Sequence, residues 1–334
     1  MKWLAENLKG ILISLVIAMA AVFLGNIFPI VGGPVFGILL GILFGNIIGR
    51  PDGTAHGIRF TSKNILQWAI IALGGGLSLK QVYVTGMSSL YVMMFTLSAA
   101  FLTAFILGRF MKIPLKLTSL IAMGTAICGG SAIAAISPII EAEDRDIAYA
   151  ISTVFMFNII AVILFPALGH LMGLSQRGFG LWAGTAINDT SSVVAAAYSY
   201  GNDAGAYATI VKLTRTTMII PISLIFAAVT FINREKQSEE KHVHYSFVKI
   251  FPWFILWFLA ASLLNTTGII DARAAHIFTE TGKFMIVLAL SAIGLHTDFK
   301  KMVETGYRPM VLGFIAWVVV AVTSLLVQKF TGQL

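Results

Sequence analysis

Charge is what this chain lacks most. Only 11% of its 334 residues are Asp, Glu, Lys or Arg, while 57% are hydrophobic, against roughly 25% charged and 45–50% apolar in an ordinary soluble domain. That scarcity excludes an ordinary soluble enzyme, a disordered chain and a nucleic-acid-binding module. Cysteine is equally scarce: the single Cys128 rules out an intramolecular disulfide and says nothing about redox compartment. No Gly-x-x-x-x-Gly-Lys-Ser/Thr loop occurs, which argues against ATP as a direct energy source. No cofactor motif is visible. His276 and His296 have no second ligand at metal spacing, and Cys128 has no nearby His to activate it, so neither a metal site nor a catalytic thiol is expected.

What is present in abundance is long apolar runs. A helix crosses the hydrocarbon core with about 20 apolar residues, and runs of that kind fall near 10–30, 32–49, 64–79, 87–110, 117–140, 147–172, 178–200, 207–232, 248–266, 276–297 and 308–330. The sequence therefore predicts an all-α polytopic membrane protein of about eleven segments. It forms a single integral-membrane domain over 1–334, with pseudo-repeat halves of roughly 1–173 and 174–334. The first run extends to about Ile30, longer than the usual signal-peptide core of about 7–15 residues, and reads as a retained span. Trp68, Trp182, Trp253, Trp257 and Trp317 suit interfacial or lipid-facing positions.

The chain carries 23 Lys and Arg against 15 Asp and Glu, and the basic residues cluster in alternate connections. Arg50, Arg59 and Lys63 follow the second run; Arg109, Lys112 and Lys116 the fourth; Arg234, Lys236 and Lys241 the eighth; Lys300, Lys301 and Arg308 the tenth. The positive-inside rule places these connections in the cytoplasm, with the N-terminus inside and the C-terminus outside. The polar stretch Asn233–His244 is the expected hinge between the halves.

Two internal echoes point to function. The first pairs Leu73-Gly-Gly-Gly-Leu-Ser-Leu-Lys80 with Ser291-Ala-Ile-Gly-Leu-His-Thr-Asp298, on spans that run in opposite directions. Inverted repeats of this kind characterise secondary transporters. The second pairs Gly124-Thr-Ala-Ile-Cys-Gly-Gly-Ser131 with Gly184-Thr-Ala-Ile-Asn-Asp-Thr-Ser191, each inside a membrane segment. Non-helical backbone at membrane depth persists only where protein buries it or it lines a wet cavity. The helix restarting after such a break offers free N–H groups and partial positive charge to an anion. If both segments span, the breaks run parallel; if both are re-entrant hairpins, they enter from opposite faces and the inversion is kept. The hairpin arrangement is the preferred expectation. Candidate substrate-binding residues are Thr125, Cys128, Gly129, Gly130, Ser131, Asn188, Thr190, Ser191 and Ser192.

Ionisable residues inside membrane segments are costly and default to functional roles. Lys212 and Arg215 share a helix face directly after the second break, and an ion pair of either with Asp189 would offset the burial of both. These three form the candidate coupling set. Asn158, deep in the sixth run, is placed to hydrogen-bond a broken helix. Glu280 and Lys283 are spaced for an exposed pair.

With Gly32-Gly33-Pro34, the Gly-Gly-Gly-Leu after Leu73, and the two broken-segment motifs, nearly the whole chain resembles a family of bacterial inner-membrane proteins, the YeiH-like family labelled as sulfate exporters. That resemblance implies kinship with the cation/proton antiporter and anion transporter group. It also implies two discontinuous helices crossing near the midplane beside a panel of continuous ones. The expected activity is secondary transport of a small inorganic oxyanion such as sulfate or sulfite, driven by a proton or cation gradient, in the bacterial cytoplasmic membrane. The competing expectations are a cation/proton antiporter using Asp189 and Asn188, an intramembrane enzyme, and a channel. Expected partners are the lipid bilayer, the anion and the coupling ion; a homo-oligomer is compatible with the sequence, nucleic acid is not.

Overall fold

A computed structural model describes residues 2–28, 31–49, 51–235, 252–297 and 306–334. All regular structure among them is helical, as the long apolar runs require, because in lipid only a helix or a closed barrel satisfies every backbone group internally. Five single helices run long enough to cross by themselves: α1 (Lys2–Ile27), α5 (Leu79–Phe110), α8 (Asp144–Leu171), α14 (Ala272–His296) and α15 (Tyr307–Thr331). A sixth crossing is made by α11 (Asn202–Thr217) continued as α12 (Ile219–Glu235). Three shorter rods pack beside these six. One is α2 (Gly32–Leu43), prolonged by a π turn to Ile48; one is α3 (Ala55–Phe60), joined by a π turn to α4 (Leu66–Gly74); the last is α13 (Phe254–Thr266).

The remaining two segments do not cross. α6 (Leu115–Ala126) and α7 (Gly130–Ile136) fold back on each other at 127–129. Lys116 Nζ, at the start of α6, donates to the carbonyl of Glu141 beyond α7 at 2.7 Å, so the chain returns to the face it entered from. α9 (Gln176–Ala186) and α10 (Thr190–Tyr200) form the second hairpin. Tyr200 OH donates to the carbonyl of Leu174 at 2.5 Å, and its ring stacks on Phe179 at 3.9 Å. Because α8 crosses between them, the hairpins enter from opposite faces. Six crossings, three shorter rods and two re-entrant hairpins match the expected eleven segments among the described residues.

The helices sort into two bundles. Hairpin arms, α5, α8, α11 and α15 pack around one apolar core that includes Leu120, Ala126, Phe165, Trp182 and Val211. The other bundle is α1 to α4 with α13 and α14. It meets the first through α10, where Val194 and Ala195 pack on Ile38 of α2 and Leu290 of α14. Toward the outside the protein is apolar: Phe110 is 84% and Phe330 87% exposed, a surface made for lipid tails.

Several boundaries differ from the hydropathy runs. The third rod starts at Ala55, not near 64, and α5 at Leu79, not near 87. Lys63, Lys80 and Gln81 lower the local hydropathy without breaking the backbone, and long side chains at helix ends reach out to the interface. Trp68, Trp253 and Trp257 are exposed as expected, but Trp182 and Trp317 are buried at 2% and 5%. These two stack against Phe165 and Phe157 inside the hairpin bundle, and Trp182 Nε1 donates to the carbonyl of Ala321. The expected hinge Asn233–His244 lies, from residue 236 on, outside the described residues, as do Arg50, Lys300 and Lys301.

Candidate functional site

The two hairpin tips meet. Each tip interrupts a helix, so the first arm leaves free carbonyls and the second arm free N–H groups. At the first tip Gly129 has φ +66° and ψ −129°, a conformation restricted in practice to glycine. A Cβ built on Gly129 would sit 3.6 Å from Asp189 Cβ, an ordinary contact, so conformation rather than space requires glycine there. Gly130 is the reverse case: a Cβ on it meets nothing within 4 Å. Of the two tip glycines, Gly129 is required by its backbone conformation, and space requires neither.

Lys212 and Arg215 are both 0% exposed, so neither snorkels to an interface. They do not pair with Asp189 either, unlike Lys283 and Glu280, whose side chains form an ion pair at 2.7 Å. Instead the two cations hold the free carbonyls of both first arms. Lys212 Nζ donates to Ile127 O at 2.5 Å and Ile187 O at 3.0 Å. Arg215 donates through Nε to Ala126 O at 2.6 Å, through Nη2 to Thr125 O at 2.7 Å and through Nη1 to Ile187 O at 3.2 Å. The expected ion pair is thus replaced by a knot in which cations sit at the negative ends of two helix dipoles. The approach of α11 that makes this reach available depends on Gly184, where a Cβ would come within 2.7 Å of Val211.

α8 supplies the complementary cap. Asn158, 2% exposed, accepts from the N–H groups of Asn188 and Asp189 at 3.1 Å each, as its depth in the sequence suggested. Asp189 is the N-cap of α10, its carboxylate accepting from the N–H and the hydroxyl of Ser191. Asn188 Oδ1 is buried with no donor among the described residues.

A cavity of about 340 Å³ opens beside the tips. Of the sequence candidates, Ser131, Asp189, Thr190 and Ser191 line it. Thr125, Cys128, Asn188, Ser192, Lys212 and Arg215 are buried behind it, and Thr125 takes part through its carbonyl, not its hydroxyl. The other wall comes from Ser62, Lys63 and Gln67 on the third rod and Ile293 and His296 on α14. The repeated motifs gave no signal for Lys63 or Gln67. His296 does lie in the first echo, and the end of α14 against the tips is what that echo marks.

The charge pattern at the site follows from this placement. Among the described residues Asp189 is the one acidic residue lining the cavity; Lys63 and His296 stand at its wall, and Lys212 and Arg215 lie behind its floor.

A family profile described as "Conserved hypothetical protein 698" matches residues 9–313. Relatives align over nearly the whole length. A UPF0324 membrane protein of Clostridium tetani is 46% identical, with 97% of each chain covered. One of Streptococcus pyogenes serotype M18 is 44% identical, with 98% of each covered, and one of Fusobacterium nucleatum is 42% identical, with 98% of this chain and 99% of the relative covered. The chain is a multi-pass membrane protein that belongs to this family, the UPF0324 membrane proteins matched by the profile of conserved hypothetical protein 698.

Proposed function

We propose that the chain is a secondary transporter of a small inorganic oxyanion, such as sulfate or sulfite, coupled to a proton or cation gradient. One observation carries the choice of an anion: two buried cations, Lys212 and Arg215, are balanced by carbonyl dipoles and have no carboxylate among the described residues within ion-pair distance. Their charges repel a cation entering the cavity and attract an anion there, the more so once Asp189 is protonated. The N–H groups at the start of α10 and the hydroxyls of Ser131, Thr190 and Ser191 provide donors to such a ligand.

Asp189 supplies the coupling. Its carboxylate occupies the α10 N-terminus through Ser191, the same donors an oxyanion would use, so proton uptake by Asp189 and anion binding favour each other. The acid in the cavity also supports a competing reading, a cation/proton antiporter with Asp189 and Asn188 as ligands. We read the chain as a carrier and not an enzyme because Cys128, its one thiol, is 2% exposed behind the tip. The cavity's basic wall lies on the face that carries Arg59, Arg109, Lys112, Lys116 and Arg308, and the positive-inside rule makes that face cytoplasmic. The N-terminus is then inside, the C-terminus outside, and the membrane the bacterial cytoplasmic one.

Purified protein in liposomes, assayed for radiolabelled sulfate and sulfite flux with and without a pH gradient, tests the reading. Expected is gradient-dependent oxyanion flux that Asp189→Asn uncouples from pH. Sodium-dependent proton flux without any oxyanion movement would establish the antiporter instead.

A further inference from the structure

α10 and α14 each touch two cavities, and the two cavities open on opposite faces. The first is the site cavity, reached at Asp189, Thr190 and Ser191 on α10 and at Ile293 and His296 on α14. The second, about 270 Å³, is lined by Tyr198 just before the end of α10, by Asn202 beyond it, and by Glu280, Lys283, Ile286 and Val287 on α14. It lies on the face where α1 ends and α2 begins, since Asn26 and Gly33 also line it. From Ser191 to Tyr198 α10 rises about 10 Å, and from Val287 to Ile293 α14 rises about 9 Å. In a hydrocarbon layer of about 30 Å, the two cavities are thus separated by roughly a third of its thickness.

What fills that third is fully packed and apolar but for Ser291 of α14, whose hydroxyl is satisfied within its own helix at the Val287 carbonyl. Val194 and Ala195 of α10 are 0% exposed, Leu290 of α14 is 0% and Ile38 of α2 is 1%, and all four belong to one cluster. No hydrogen bond ties α10 to α2 or α14 through these side chains, so separating them costs apolar contact alone. A third cavity, about 480 Å³ at Gln81, Arg177 and Leu334, also opens on the second face. Its inner wall is α9, however, and behind α9 stands the Lys212–Arg215 knot. A path there would have to break charge-assisted hydrogen bonds to buried carbonyls, each worth about 1.5–3 kcal/mol.

We infer that the contact of Val194 and Ala195 with Ile38 and Leu290 is the closed barrier of a translocation path, and that the cavity at Tyr198, Asn202 and Lys283 is its mouth on the opposite face. The inference rests on the transporter reading for what crosses: an oxyanion arriving at that mouth meets the Lys283 ammonium, held by Glu280. The position of the barrier is a statement about water access and does not depend on the substrate.

Thiol labelling in oriented membrane vesicles tests it, with a charged, membrane-impermeant methanethiosulfonate applied to one face at a time and the wild-type chain, its Cys128 buried, as blank. Ser62→Cys and Ser131→Cys are expected to react from the Lys116 face, Tyr198→Cys and Lys283→Cys from the other. Ala195→Cys should react more slowly than all four from either face, by about tenfold or more, because the reagent must wait for local opening. Adding Leu290→Ala to Ala195→Cys should raise its rate. Reaction of Lys283→Cys and Tyr198→Cys from the Ser62 face, an Ala195→Cys as fast as Ser131→Cys, or no effect of Leu290→Ala would overturn the assignment. The labelling pattern holding while sulfate and sulfite flux is absent would leave the barrier standing and remove the oxyanion.

Discussion

The knot at the hairpin tips makes a quantitative prediction about a pair of substitutions. In Arg215→Met the carbonyls of Thr125 and Ala126 lose their donors, while Ile187 O keeps Lys212. At about 1–3 kcal/mol for each orphaned buried group, the cost is about 2–6 kcal/mol. In Lys212→Met only Ile127 O is orphaned, because Ile187 O keeps Arg215, and the cost is about 1–3 kcal/mol. In the double variant Ile187 O loses both donors, a further loss of about 1–3 kcal/mol that neither single variant shows. Repulsion between the two cations acts in the same direction: each single substitution relieves it, but the double variant relieves it only once. The double variant is therefore less stable than the sum of the singles by at least about 1–3 kcal/mol, a non-additivity that a double-mutant cycle isolates. Unfolding free energies in mixed micelles across a denaturant titration measure all four corners. Additive effects, or a double variant more stable than the sum, would refute the shared carbonyl and with it the knot.

Three further outcomes follow from the same geometry. Gly129→Ala should lower the melting temperature, since a side chain at its φ and ψ costs about 1–3 kcal/mol; Gly130→Ala, which meets open space, should leave it nearly unchanged, and equal melting of the two would contradict the tip conformation. Asn158→Leu orphans the N–H groups of Asn188 and Asp189 and should destabilise by about 2–6 kcal/mol, visible as a shift in thermal unfolding; an unshifted midpoint would mean that those groups have other acceptors. Cysteines placed at Lys9 and Leu334 should react with an impermeant reagent from opposite faces, and reaction of both from one face would refute the reading in which the three shorter rods cross along with the six long ones.

The apolar runs and the doubled Gly-Thr-Ala-Ile motif made the number of segments and the two breaks readable from the sequence, because a helix-breaking stretch inside a hydrophobic run has few other uses. The same residues placed Lys212 and Arg215 near the breaks. They did not reveal what the cations bind. A carboxylate announces itself as Asp189, whereas the carbonyls of Thr125, Ala126, Ile127 and Ile187 carry no letter of their own; the one available signal, that a helix end leaves carbonyls free, went unused. The cavity's far wall was hidden for a different reason. Lys63 and Gln67 sit on a rod whose first turns read as a connection, and only the packing of α14 against α4 brings them to the tips. Trp182 and Trp317 show the limit of composition: aromatic residues suit the interface, but in a bundle with hairpins they also fill the space beside the shortened helices.

The carbonyls of the first hairpin wait for a partner that is made much later. Thr125 and Arg215 are 90 residues apart, which at about 5–20 residues per second is roughly 5–20 s of synthesis. During that interval the tip has emerged but has no cation to hold it, and unpaired carbonyls are not tolerated in lipid. The segment 115–141 must therefore rest at the interface or in the insertion machinery until α11 has been delivered from the opposite direction, and a chain cut short before Arg215 is left with an unsettled hairpin, a ready signal for membrane quality control.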